Sequence, residues 1–276
     1  MLLGVGLHEI LLLALALLVG GLISGVLAGL FGVSGGSVLV PVLYEGFRMF
    51  GVPEDVRMQL CLGTSIAIVV PITIRSFLTH RAKGLVIPGV IRIWMVPAIL
   101  GVVCSAAIAA FAPAAVMTTA FIVIATFIAF KFFFAGDRWN LGIELPGPAP
   151  MALYGFGIGL CGSLMGVSGG ALSTIVLTLY GKPIHNAVAT SSGIAVPITI
   201  AGAIGFILAG LPHEAQLPPL SLGFVSVIGL LVTAPVASFV APYGAHFAHR
   251  LPRRILEIGF GGFLLLVSVR FLFSFL

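Results

Sequence analysis

Charge is what this chain has least of. Asp, Glu, Lys and Arg together make up 8% of its 276 residues, against about 25% in a soluble domain. A water-soluble coat cannot be assembled from so little. The carboxylates are Glu9, Glu45, Glu54, Asp55, Asp137, Glu144, Glu214 and Glu257, and none sits near the centre of an apolar stretch. Glu45 and Glu257 come closest, each near a stretch end. That argues against a carboxylate proton relay or a two-carboxylate cation site, and favours an anionic cargo. Cysteine is nearly missing too. Cys61, Cys104 and Cys161 lie in apolar stretches without metal-ligand spacing and read as small packing residues. No pattern calls for a cofactor, a metal, a catalytic group or a nucleic-acid partner. The first apolar stretch also lacks the basic front of a cleaved signal peptide.

What the chain has instead is hydrophobic length. It is 60% hydrophobic, with 21 Phe and a mean hydropathy of +1.25. A spanning helix needs about 20 apolar residues. Stretches that meet or approach this are 10–31, 58–79, 85–110, 114–135, 150–165, 186–210, 217–241 and 255–276. The expectation is an all-α polytopic membrane protein in contact with lipid. The net charge of +5 comes from loop Lys and Arg, which in such a protein reports orientation before any partner.

One phrase occurs twice. Residues 30–36 read Leu-Phe-Gly-Val-Ser-Gly-Gly, and residues 164–170 read Leu-Met-Gly-Val-Ser-Gly-Gly. Each copy interrupts an apolar helix, where every Gly costs roughly 0.5–1 kcal/mol relative to Ala. The duplication continues beyond the glycines. Thr64–Ile74 reads TSIAIVVPITI and Thr190–Ile200 reads TSSGIAVPITI, identical at eight of eleven positions. Gly51-Val52-Pro53 corresponds to Gly181-Lys182-Pro183, with about four extra residues following it in the first copy. The expected division is repeat one over 1–135, a linker over 136–150 rich in Pro, Gly and charge, and repeat two over 151–276.

Loop charges set the orientation. Arg81 and Lys83 follow the PITI helix of repeat one, while the equivalent loop 211–219 has no Lys or Arg. The next turn, near Pro113, has none, while its equivalent 242–254 has Arg250, Arg253 and Arg254. Under the positive-inside rule, equivalent loops then lie on opposite sides, as in inverted repeats. Inversion demands an odd number of crossings per repeat. Treating each glycine phrase as the bend of a hairpin gives five elements, with short second arms over 37–50 and 171–180. Both termini then face outward. A parallel arrangement of four plus four helices is the alternative.

Short Gly-interrupted segments at matching places in two halves mark a transporter's binding site. A broken helix exposes unpaired backbone N–H groups and the positive end of its dipole, which together bind anions. The candidate substrate-binding residues are Gly32, Ser34, Gly35 and Gly36 with Thr64 and Ser65, and Gly166, Ser168, Gly169 and Gly170 with Thr190, Ser191 and Ser192. The bland reading is that small residues simply let helices pack closely. Arg75 or Arg92 could add positive charge for an anion, or snorkel to the inner face. His185 could carry a proton or be structural.

These residues resemble the sulfite exporter TauE/SafE family, the anion permeases of organosulfonate metabolism. The resemblance rests on Gly29–Gly36 and Ser163–Gly170, each followed by a Pro-containing turn and a helix opening Gly63-Thr64-Ser65 or Ala189-Thr190-Ser191. It implies a bacterial inner-membrane carrier of sulfite, sulfoacetate, a related sulfonate or another small sulfur-containing anion. The charged Glu54-Asp55 connection departs from strict symmetry between the repeats. The cargo, the direction, coupling to a proton or sodium ion, and the oligomeric state stay open. Two rivals remain. One is an anion channel. The other is an intramembrane serine hydrolase, since Gly32–Gly36 and Gly166–Gly170 both fit G-x-S-x-G. A nucleophile needs a base, and His185 and His80 are the candidates. A catalytic serine is not expected twice.

Overall fold

The structure, a computed structural model, describes residues 15, 18–26, 36–135, 141–142, 144–248 and 253–273. It is all-α apart from one minimal hairpin. Residues 18–26 are helical. Then follow α1 (Gly36–Met49), α2 (Glu54–Ala82), α3 (Pro88–Phe111) and α4 (Ala114–Phe130), which runs on as a π turn over Lys131–Ala135. The second half contains α5 (Pro148–Leu164), α6 (Gly170–Leu179), α7 (Ile184–Gly210), β1 (Ser221–Leu222), β2 (Val225–Ser226), α8 (Val227–Ala248) and α9 (Arg253–Phe273).

Helix starts follow from proline. Pro53, Pro113 and Pro183 stand at the N-caps of α2, α4 and α7, and Pro88 opens α3. A missing N–H costs nothing where helical amides are unpaired anyway. The α2, α3, α4 and α7 regions are long and apolar enough to cross a membrane. Their outward side chains are hydrophobic, with Val96, Phe127 and Leu208 among the exposed ones. In water such a surface would be a liability; in lipid it is the solvated face. By contrast α1 has 14 residues and α6 has ten, about 21 and 15 Å long at 1.5 Å per residue. Neither spans a hydrocarbon core of about 30 Å.

The stretch expected over 217–241 is corrected by the structure. Helix α8 begins only at Val227, after a 3₁₀ turn over Leu211–Gln216 and the β1–β2 hairpin. Pro218 and Pro219 supply no N–H for a helix to use. The hairpin tip is held inside the protein: Phe224 is buried, and its N–H donates to the Phe206 carbonyl at 3.1 Å.

The halves are interlocked rather than side by side. Helix α5 packs on α3 of the other half, where an added Cβ on Gly159 would lie 2.0 Å from the Ala98 carbonyl oxygen. Gly155 meets Trp94 on the same seam. The equivalent residues repeat the pattern: Gly25 meets Ala237 and Gly21 meets Thr233, both on α8. Such backbone contact requires glycine and provides the close packing that holds helices together in lipid. At the centre, α2 and α7 run antiparallel. Gly63 meets Phe206, Ile66 meets Gly202, and Phe77 meets Gly193. Thr73 and Thr199, the same position of the PITI phrase, touch through hydroxyls 3.1 Å apart.

Candidate functional site

The second glycine phrase is a hairpin bend with defined bonds. Helix α5 ends in a six-residue lock: Gly166 N–H donates to the Ser163 carbonyl at 3.0 Å, and Val167 N–H to the Gly162 carbonyl at 2.9 Å. Gly166 takes φ +67° to close it, a conformation that costs a residue with a Cβ roughly 1–2 kcal/mol. Gly169, at φ +70°, then caps α6. Its carbonyl accepts from Ser173 N–H at 2.9 Å and Ser173 Oγ at 3.0 Å. The bend therefore ends one helix and starts another within five residues, leaving the first-turn amides of α6 at a helix end.

Gly32, Ser34 and Gly35 of the first phrase lie outside the described residues. Gly36, the first residue of α1, is described. A Cβ on Gly36 would lie 2.5 Å from the Gly166 carbonyl oxygen and 3.3 Å from Val167 Cα. The N-terminus of α1 thus lies directly against the second bend. Ser65 joins the two: its hydroxyl, fully buried, is 3.1 Å from the Gly36 carbonyl and 2.8 Å from the Gly166 carbonyl. One hydroxyl from α2 ties the start of α1 to the second bend. Leu62, one turn earlier, packs its Cα 3.1 Å from where a Gly166 Cβ would be.

The other hydroxyls predicted to bind ligand are also engaged with protein here. Thr64 Oγ1 accepts from Ser226 N–H at 2.9 Å, just ahead of α8. Thr190 Oγ1 accepts from Ile87 N–H at 3.0 Å, at the N-cap of α3. Each threonine therefore caps the next helix of the opposite half. Ser191 Oγ donates to the Val188 carbonyl and accepts from Thr174 Oγ1 at 3.0 Å. Ser192 Oγ donates to the Ala189 carbonyl at 2.7 Å. Ser168 and Gly170 are buried within the second bend.

The charged candidates stand elsewhere. Arg75 lies ten residues beyond Ser65 on α2, about 15 Å along the helix. Its guanidinium donates to the Ser238 carbonyl of α8 at 3.2 Å. Arg92, in the second turn of α3, and His185, in the first turn of α7, are exposed. The junction itself is neutral, and its polarity comes from backbone and hydroxyls. Beside the second bend an apolar void measures about 10 Å³, room for about one water-sized probe. Sequence reasoning did not single out the Thr73–Thr199 contact, whose signal was a polar residue at matching places in two apolar helices.

The family profile described as sulfite exporter TauE/SafE matches residues 17–271. The chain belongs to this family. Two relatives match over most of their own length. A protein of Haemophilus influenzae named probable membrane transporter protein is 29% identical over 255 residues, covering 92% of this chain and 96% of the relative. One from Methanocaldococcus jannaschii, named in the same words, is 27% identical over 232 residues, covering 83% and 84%. No solved structure gives a significant match. This TauE/SafE chain is a multi-pass membrane transporter, and its second glycine bend lies against the start of α1.

Proposed function

We propose that the protein is a secondary carrier for a small sulfur-containing anion, such as sulfite, sulfoacetate or a related sulfonate. It works in the inner membrane by alternating access between two inverted repeats, with both termini outside. The observation that carries this reading is the Ser65 hydroxyl holding Gly36 and Gly166 together. Two broken helices present their N-terminal ends to one neutral, buried place, as an anion site requires. The antiparallel pairing of α2 with α7, and the reciprocal capping by Thr64 and Thr190, support a two-fold lying across the helix axes. The loop charges support the same sidedness.

A void of about 10 Å³ is too small for such an anion, so binding beside the second bend requires the helices there to part. Outward flow of an anion is driven by the inside-negative potential, about 2.3 kcal/mol per charge per 100 mV; inward flow requires a co-transported cation. The test is tracer flux in proteoliposomes. Labelled sulfite or sulfoacetate inside should accelerate uptake from outside, and a flux without such trans-stimulation would instead indicate a channel. Ser168→Leu, which fills the second bend, should abolish transport with insertion intact. Normal flux by that variant would remove the bends from the site.

A further inference from the structure

Corresponding connections in the two halves end alike and pack differently. Residues 83–87 run from α2 to α3, and the longer segment 211–226 runs from α7 to α8. Each ends on a residue whose N–H donates to a threonine of the other half, Ile87 to Thr190 Oγ1 at 3.0 Å and Ser226 to Thr64 Oγ1 at 2.9 Å. Counting back from those bonds, Val86 corresponds to Val225 and Leu85 to Phe224. Val225 and Phe224 are 2% and 1% exposed. Leu85 and Val86 are only half-buried.

The extra length of the second connection holds the β1–β2 hairpin, whose two-residue turn is Gly223-Phe224. Gly223, at φ +50°, supplies the positive φ that such a turn asks of its first residue. The turn is wedged between the start of α2 and the end of α7. Phe224 N–H donates to the Phe206 carbonyl of α7 at 3.1 Å. A Cβ on Gly63 of α2 would collide with the Phe224 carbonyl oxygen, one on Gly210 of α7 with the Phe224 nitrogen, and one on Gly223 with the Ile207 carbonyl oxygen. Three glycines thus clear a seat for one turn, backbone against backbone. Ala189 stands where the first half has Gly63, so the shorter connection cannot come as close to α7. The other end of the α2–α7 crossing is made differently. There Gly193 faces the tip of the Ile91 side chain and the Phe77 ring, which a change of rotamer moves aside. Gly84 of the shorter connection has nothing within 4 Å of an added Cβ.

We propose that the β1–β2 hairpin is a removable clamp, with Phe224 as its wedge, that seals the α2–α7 crossing on one face of the membrane. That face is where α2 begins and α7 ends, the outer one in the orientation proposed above. With the clamp seated, the crossing parts at its opposite end, where only side-chain tips have to move. Withdrawal of the turn from its glycine seat opens the clamped face. The inference rests on the carrier reading and deepens it, because alternating access needs each face sealed in turn. Thr64 links the clamp to the junction: it holds Ser226 of the hairpin, and the next residue, Ser65, holds Gly36 and Gly166.

The test uses the full chain in nanodiscs, where a charged maleimide reaches both faces, with the native cysteines replaced. Val225→Cys should react on the order of tenfold more slowly than Val86→Cys, since only an opening of the hairpin exposes it. Adding Phe224→Ala removes the wedge and should speed Val225→Cys on the order of tenfold, with Val86→Cys, the control for general unfolding, within about twofold of its former rate. Gly63→Ala, acting from the α2 side, should speed Val225→Cys in the same way, and Phe224→Leu should leave it slow. In proteoliposomes Phe224→Ala should abolish trans-stimulation of labelled sulfite or sulfoacetate flux, because one face no longer seals. A Val225→Cys rate unmoved by both Phe224→Ala and Gly63→Ala would overturn the clamp. So would full trans-stimulation in those variants with the rate raised, and either result leaves the carrier reading intact. Wild-type flux without trans-stimulation would overturn both.

Discussion

Replacing Gly36 by alanine attacks the one contact on which the site depends. The new methyl would lie 2.5 Å from the Gly166 carbonyl oxygen and 3.0 Å from Ser65 Oγ. Ordinary contact begins at 3.4 Å, so the carbonyl has to retreat by 0.9 Å (3.4 less 2.5). The obstacle is backbone inside a locked bend, not the end of a flexible side chain. The same retreat directed away from Ser65 would take the 2.8 Å hydrogen bond to roughly 3.7 Å, too long to count as one. Overpacking costs about 1–3 kcal/mol, and a buried carbonyl losing its donor costs about 1–3 kcal/mol more. Gly36→Ala should therefore destabilise by roughly 2–6 kcal/mol. The measurement is reversible unfolding in mixed micelles, followed through the buried Trp94. Gly157 of α5, with nothing within 4 Å of an added Cβ, is the control, and its alanine variant should gain about 0.5–1 kcal/mol. A double-mutant cycle with Ser65→Ala sharpens the reading. With the hydroxyl already gone, the hydrogen bond cannot be lost twice and the closer side-chain clash is relieved. The two changes should then fall short of additivity by about 1 kcal/mol or more. An unchanged unfolding free energy for Gly36→Ala, or strict additivity, would refute the contact between the breaks.

The remaining expectations follow from the same geometry. In a variant with the three native cysteines replaced, Thr73→Cys with Thr199→Cys should cross-link within one chain on oxidation, because the wild-type hydroxyls are 3.1 Å apart. Transport should stop in the cross-linked form and return on reduction; failure to cross-link would contradict the antiparallel crossing. In the same background, Arg48→Cys and Lys182→Cys sit by equivalent turns of the two halves. An impermeant thiol reagent added to intact cells should label the first and spare the second, and labelling of both from one side would end the inverted reading.

Much of this fold is legible in the sequence because lipid simplifies the code. Apolar length alone locates the long helices, and proline marks their starts. The repeat is legible because the phrases are nearly verbatim. Where reading failed, the cause was a competing local rule. The stretch 217–241 is apolar throughout, yet Pro218 and Pro219 keep its first ten residues out of the helix, and the hairpin that follows them buries Phe224 instead. The candidate hydroxyls were located as residues but not as bonds. That Ser65 would face two carbonyls, and Thr64 an amide of the opposite half, depends on which helices cross, which composition does not encode. Arg75 was open between an anion ligand and an interfacial cation, and the α2–α8 contact shows which carbonyl it holds.

The interlocking also limits how the junction can open. Gly159 rests on the Ala98 carbonyl and Gly101 on the Phe156 carbonyl, so α3 and α5 meet backbone to backbone with no room to slide. Residues 18–26 meet α8 in the same way through Gly25 and Ala237. Each tight pair therefore joins one helix from each half. Under the alternating access proposed above, the pair would move as a unit, and the moving bodies would be mixed in sequence. Between them lie softer contacts: single hydroxyls at Thr64, Thr190 and Ser65, and the Thr73–Thr199 crossing. Each is worth about 0.5–1.5 kcal/mol, so a few of them hold a closed state without locking it. A conformational equilibrium balanced at that scale is one that binding a single anion can shift.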